Sequence, residues 1–205
     1  MSKKQIQNTL KKILGALVFL SLFSNQAMAI EENSIASEMK MKIDKTTDLL
    51  QNKNMLQTEK VNQIFIMFDP VFDYWSMSKI ALGKNWKKIT IKQQVAFEKI
   101  FTKKLKQSYI NKLQLYTDEK VIINKTVKLK RTRIKLYTKL IGKDEDYSIV
   151  YKFHKTKTNE QWLIYDVEMI GVSIMKTYRN QFSEFLATKK IENLLEELEL
   201  KIENN

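Results

Sequence analysis

Three features of this sequence have residue types that could do chemistry: a single histidine, a serine two residues after a glycine, and two aspartates four apart. His154 ends an apolar run between Lys152 and Lys155, and no carboxylate or serine stands near it in the sequence to orient it as a base, so a solvated side chain is expected. Ser173 follows Gly171-Val172, but Met175 occupies the place where a nucleophile elbow needs its second glycine, and no histidine lies downstream. An exported hydrolase is therefore the weakest reading. Asp69 and Asp73 could form a carboxylate pair on one helix face, although Asp69 precedes Pro70 and is more simply read as a helix cap. The acidic run Glu192, Glu196, Glu197, Glu199 and Glu203 has helical spacing and reads as the solvated face of a last helix, or as a face that meets a basic partner.

Composition narrows the choice further. The 205 residues include no cysteine, which excludes disulfide scaffolds, thiolate nucleophiles and zinc-thiolate or iron–sulfur sites. Four glycines and one proline leave no glycine-rich phosphate loop, so no nucleotide or other cofactor is expected. The net charge of +13 is carried almost wholly by lysine, the arginines being Arg131, Arg133 and Arg179. Base-edge readout and bidentate phosphate forks favour arginine, so nucleic acid is not an expected partner. Two readings of the lysine excess stay open: attraction to anionic membrane surfaces at ~1 kcal/mol per basic residue, or a compositional bias that serves solubility.

Residues 1–29 read as an address. Lys3, Lys4, Lys11 and Lys12 precede an apolar stretch from Ile13 to Phe23 that is too short to span a bilayer, and Ala27-Met28-Ala29 supplies a small-x-small cleavage pattern. A signal peptide cleaved after Ala29 is expected, leaving residues 30–205 as one exported, periplasmic domain with a net charge of +9.

The elements that must position any site follow from periodicity. Ile35, Met39, Ile43 and Leu50 suggest a first helix over 33–50, and Thr58 could cap a second that turns Val61, Ile64, Phe65 and Phe68 inward. A third helical stretch spans 71–83 and ends at Gly83. Thr90 and Gln93 form a capping box before the longest helix, where Phe97, Phe101, Leu105, Tyr109 and Leu113 recur every four residues. Beyond Tyr116 the period turns to two. One strand is expected around 129–140, and Gly142-Lys143-Asp144 turns into a second with Tyr147, Ile149, Tyr151 and Phe153 on one face. The polar run 155–160 closes a hairpin to a last strand over 162–169, with Leu163, Tyr165, Val167 and Met169 on one face and Trp162 and Ile164 on the other. Helical spacing returns from Ser173 to the end. Helices, a strand meander, then helices describe an α+β fold.

Two segments carry a resemblance. Phe72-Asp73, Leu82-Gly83, Trp86, Gln94, Phe97, Phe101, Leu105, Tyr109 and Tyr116 resemble the N-terminal half of the MlaC / toluene-tolerance family. Trp162 through Tyr165-Asp166-Val167 to Gly171-Val172-Ser173 is similar to that family's signature, and Tyr178 to Phe182 continue the likeness. Ile170, where members often carry an acidic residue, and Lys190, where a glycine is frequent, depart from the pattern.

The resemblance implies a non-catalytic periplasmic phospholipid carrier. Its partners would be an outer-membrane lipoprotein-porin complex and an inner-membrane permease with an MCE-domain ring, the parts of an ABC-type system that maintains outer-membrane lipid asymmetry. The alternative is a non-catalytic structural adaptor of a cell-envelope complex. The implied fold is a twisted antiparallel sheet of about four strands packed against several helices, with an apolar lipid cavity between. Phe97, Phe101, Leu105 and Tyr109 would line that cavity from the long helix, and Ile134, Leu136, Ile149, Tyr151, Val167 and Met169 from the strands. Asp166 would be a buried carboxylate accepting backbone or tyrosine hydrogen bonds, and Ser173 the cap of the following helix.

Overall fold

The computed structural model describes residues 30–113, 119–142, 145–158 and 160–203. The expected signal segment, Tyr116, the Lys143-Asp144 corner and the side chain of Leu113 lie outside what is described.

Among the described residues four α-helices come first: α1 (Ile35–Gln51), α2 (Gln57–Phe68), α3 (Tyr74–Leu82) and α4 (Ile91–Leu113). Helix α2 starts without a side-chain cap, from an extended Leu56, so Thr58 lies inside the first turn and does not cap. Helix α3 is shorter than expected because Pro70 sits in a 3-10 turn, Asp69–Val71, and Phe72 is extended and bridges Ile164. The helix can begin only after Asp73, whose carboxylate accepts the Ser76 amide at 2.8 Å. It ends at Gly83, whose φ of 56° and ψ of −125° suit glycine far better than other residues. Before α4 the capping box closes reciprocally: the Thr90 amide donates to Gln93 Oε1 at 2.8 Å, and the Gln93 amide to Thr90 Oγ1 at 3.3 Å.

Five antiparallel strands follow in the order β1 (Lys120–Lys130), β2 (Arg133–Ile141), β3 (Asp146–Lys155), β4 (Trp162–Met169) and β5 (Val172–Ser173). The expected strand over 129–140 is thus the end of β1, a turn at Arg131-Thr132, and most of β2. The fifth strand, two residues long, exceeds the expected four. Ile170 and Gly171 connect β4 to β5 with positive φ at both positions, 51° and 77°. Such a tight antiparallel turn needs left-handed backbone, which a β-branched isoleucine adopts under strain.

Strand β4 corrects an expectation. Phe153 pairs with Ile164 and Lys152 with Asp166, so Tyr165 is an extra residue that shifts the alternation by one. Trp162 and Ile164 therefore share the helix-facing side with Val167 and Met169, instead of opposing them, while Asp166 turns to the other side beside Lys152.

Two helices complete the described residues, α5 (Ile174–Thr188) and α6 (Ile191–Glu203). Ser173 caps α5, its hydroxyl accepting the Lys176 amide at 3.1 Å. Two apolar clusters result. One lies among α3 to α6, where Phe97 stacks on Phe101 with ring centroids 5.3 Å apart and both meet Phe182 edge-on. The other lies between the start of α1 and the sheet, where Ile35 and Met39 cover Ile134, Leu136, Phe153, Trp162 and Ile164.

Candidate functional site: an apolar cavity between helices and sheet

The two clusters do not merge into one core. Between them is a cavity of about 390 Å³, within the usual range for ligand sites. Its helical wall comes from α1 (Ile43, Thr46, Thr47, Leu50), α2 (Ile64, Phe65, Phe68), and the second half of α4 (Leu105, Lys106, Tyr109). Phe72 and, on α3, Tyr74 and Met77 close another side. The sheet supplies Val121, Leu140, Ile149, Tyr151, Val167 and Met169, with Glu119 just before β1. The start of α1 packs dry on one end of the sheet through Ile35 and Met39, whereas Ile43 and Leu50 face open space toward the other end.

The polar groups on this wall are largely satisfied by the protein itself. The Thr46 and Thr47 hydroxyls donate to the carbonyls of Lys42 and Ile43 within α1, at 2.8 and 3.2 Å, so neither of these two hydroxyls is left seeking a partner in the cavity. Burial pushes the Tyr151 phenol up to about 12 and raises Tyr109 further, so both stay neutral at physiological pH. Two lysines pin the α1–α2 hairpin that forms one wall: Lys42 Nζ donates to the Met67 carbonyl at the end of α2, and Lys60 Nζ to the Leu50 carbonyl at the end of α1, at 3.0 and 2.9 Å.

Of the ten residues expected to line a cavity, Leu105, Tyr109, Ile149, Tyr151, Val167 and Met169 lie on its wall. Phe97, Phe101, Ile134 and Leu136 do not; they are fully buried in the two dry clusters. The reason on α4 is geometric. A four-residue repeat advances about 40° beyond a full turn at each step, so a stripe that begins against α5 at Phe97 and Phe101 has rotated toward the sheet by Leu105 and Tyr109. On β2, Ile134 and Leu136 share a face with Leu140, but the start of α1 covers the first two.

The sequence reading missed the walls from α1 to α3, Phe72, Val121, Leu140 and Lys106. The apolar spacing of Ile43 and Leu50, interrupted by Thr46-Thr47, was the available sign of a helix face that is not packed dry. Lys106 is held by Asp69: its Nζ lies 2.5 Å from Oδ2, while the Tyr74 hydroxyl donates to Oδ1 at 2.8 Å. Burial and this bond to Asp69 keep the Tyr74 phenol well above its ordinary range.

The candidate catalytic groups fall elsewhere. His154 is not solvated: its Nε2 lies 2.7 Å from Asp73 Oδ2, with both side chains mostly buried. Burial works against the ionised Asp73, but hydrogen bonds from His154 and Ser76 outweigh it and hold the carboxyl below 3.8. Asp73 is therefore the cap and Asp69 the partner of Lys106, which reverses the expected assignment of Asp69. Asp166 is a buried carboxylate that accepts the Met175 amide at 3.2 Å, the Ser173 hydroxyl at 2.7 Å and Lys152 Nζ at 2.9 Å, with no tyrosine among these donors. Ser173 is engaged as a cap and a donor, and His154 as Asp73's partner, so the two do not form a nucleophile and base. Among the described residues no group of three or more acidic or histidine side chains is placed to hold a metal.

Fold and site together define an α+β protein with an apolar cavity held between a helical layer and an antiparallel meander. The chain belongs to the MlaC family, whose family model, described as MlaC protein, matches residues 40–200. Its fold is similar to that of a Ralstonia solanacearum protein solved as a phospholipid-binding protein in complex with a phospholipid, with a TM-score of 0.72 and 20% identity over 82% of this chain and 97% of that one. No curated protein matches the sequence.

Proposed function

We propose that this protein is a periplasmic phospholipid carrier that encloses the acyl chains in its cavity while the head group stays at the water-facing rim. One observation carries the reading: the cavity of about 390 Å³ has a mainly apolar wall and lies between two dry clusters, in a fold whose relative from Ralstonia solanacearum was solved with a phospholipid. The energetics of the task explain the design. At ~0.8 kcal/mol per CH₂, two acyl chains with roughly 30 such groups would cost about 24 kcal/mol if left in water. A carrier has to surround them with apolar side chains and needs no group for covalent chemistry.

In this reading residues 1–29 direct export and are removed after Ala29. The mature chain then passes lipid between an outer-membrane lipoprotein-porin complex and an inner-membrane MCE-domain permease of the ABC type. A structural adaptor would need no unfilled apolar space, and the cavity favours the carrier over it.

The test is mass spectrometry of an organic extract from protein purified without detergent, together with uptake from vesicles. Phospholipid at about one molecule per chain is the expected result. Protein that holds no lipid and takes none up would refute the proposal.

A further inference from the structure

Lys106 is the cation among the described residues of the cavity wall. Its side chain is 27% exposed and that of its partner Asp69 38%, so the pair stands where the wall meets water. The ammonium lies 5.1 Å from the Phe65 ring centroid and 5.5 Å from that of Tyr74, two rings that also line the cavity. A tail-first lipid must leave its phosphate at such a rim, and an ammonium is the group that meets a phosphate there as a point charge.

Asp69 gives that contact a consequence. The carboxylate has Lys106 on one oxygen and the Tyr74 hydroxyl on the other. A phosphate that draws Lys106 away leaves two anions close together, Asp69 and the phosphate, with Glu119 elsewhere on the same wall. A lipid whose head group carries its own ammonium restores the balance by offering that group to Asp69. A lipid with an uncharged polyol head does not.

We infer that Lys106, Asp69 and Tyr74 form a head-group subsite that selects zwitterionic, amine-bearing phospholipids over anionic ones. The inference rests on the carrier reading and adds the chemical class of the cargo.

The test incubates the protein with vesicles of equimolar phosphatidylethanolamine and phosphatidylglycerol with identical acyl chains, re-isolates it and quantifies both lipids. Wild type is expected to hold the amine lipid in excess by about three- to fivefold, the effect of one partly exposed ion pair. Asp69→Asn should move the ratio back toward that of the vesicles, and Lys106→Gln should move it further toward the amine lipid. Opposite shifts from two neighbouring substitutions are not what general structural damage produces, and thermal melts identify a variant that has lost its fold, in which case the other variant decides. Wild-type protein loaded in the vesicle ratio, or variants that keep the wild-type ratio, would overturn the subsite while leaving the carrier intact. Protein that takes up no lipid at all would remove both.

Discussion

Ile149→Trp separates a cavity from a core at one position. Ile149 lies on β3 with its side chain on the cavity wall, opposite Met169 on β4. The indole adds roughly six heavy atoms and displaces on the order of six methylenes of acyl chain, which at ~0.8 kcal/mol each is about 5 kcal/mol of lost burial. An acyl chain that slides aside recovers part of this, so lipid affinity should fall by at least about 100-fold, or ~2.7 kcal/mol. The indole has about 390 Å³ in which to lie. Folding stability should therefore change by less than the ~1–3 kcal/mol typical of overpacking a filled core. Phe101→Ala is the matched control, since Phe101 is fully buried against Phe97, Tyr178 and Phe182 in a dry cluster. It should cost ~3–5 kcal/mol of stability and leave the lipid carried per folded molecule unchanged. Urea denaturation and quantification of bound lipid read both variants. An Ile149→Trp protein that keeps its lipid at wild-type exchange rates, or that loses the full stability of an overpacked core, would refute the placement of the cavity.

Two further predictions concern the frame around it. Ile170→Asn should raise stability by about 0.5–1 kcal/mol, because asparagine tolerates the left-handed backbone that Ile170 is held in, at a φ of 51°, and the isoleucine side chain is mostly exposed and gives up little packing; a lower melting temperature would count against the turn geometry. Stability should also decline in acid through Asp73, whose carboxyl ionises below its ordinary 3.8 in the folded chain. A depressed carboxyl stabilises the fold at any pH above the unfolded value of ~3.9, and that contribution disappears as pH falls through the lower folded value. Asp73→Asn, which can still cap α3, should flatten this acid limb of a denaturation series between about pH 2 and 5. An unchanged limb would show that His154 and Ser76 do not stabilise the ionised form.

What could be read from the sequence, and what could not, divides along a physical line. Signals that live within one element survived into the structure: the Thr90–Gln93 box, the helix stop at Gly83, and the two-residue alternation of Ile134, Leu136 and Leu140. Contacts made by distant segments left no periodic trace. His154 meets Asp73 across 81 residues and Lys106 meets Asp69 across 37, so the pattern around each histidine or lysine says only that it is polar. The bulge at Tyr165 was equally silent, because an extra residue in one strand is defined by its partner, and a strict alternation read from β4 alone puts Trp162 and Ile164 on the wrong side. The cavity itself shows the limit most clearly. Apolar periodicity reports that Phe101 and Leu105 leave water, but not whether they leave it for another side chain or for a space that a ligand can fill. That difference depends on two angles the sequence does not spell out: the rotation of a four-residue stripe along α4, and the departure of α1 from the sheet after Met39. Both let one continuous hydrophobic surface serve as core at one end and as a binding wall at the other.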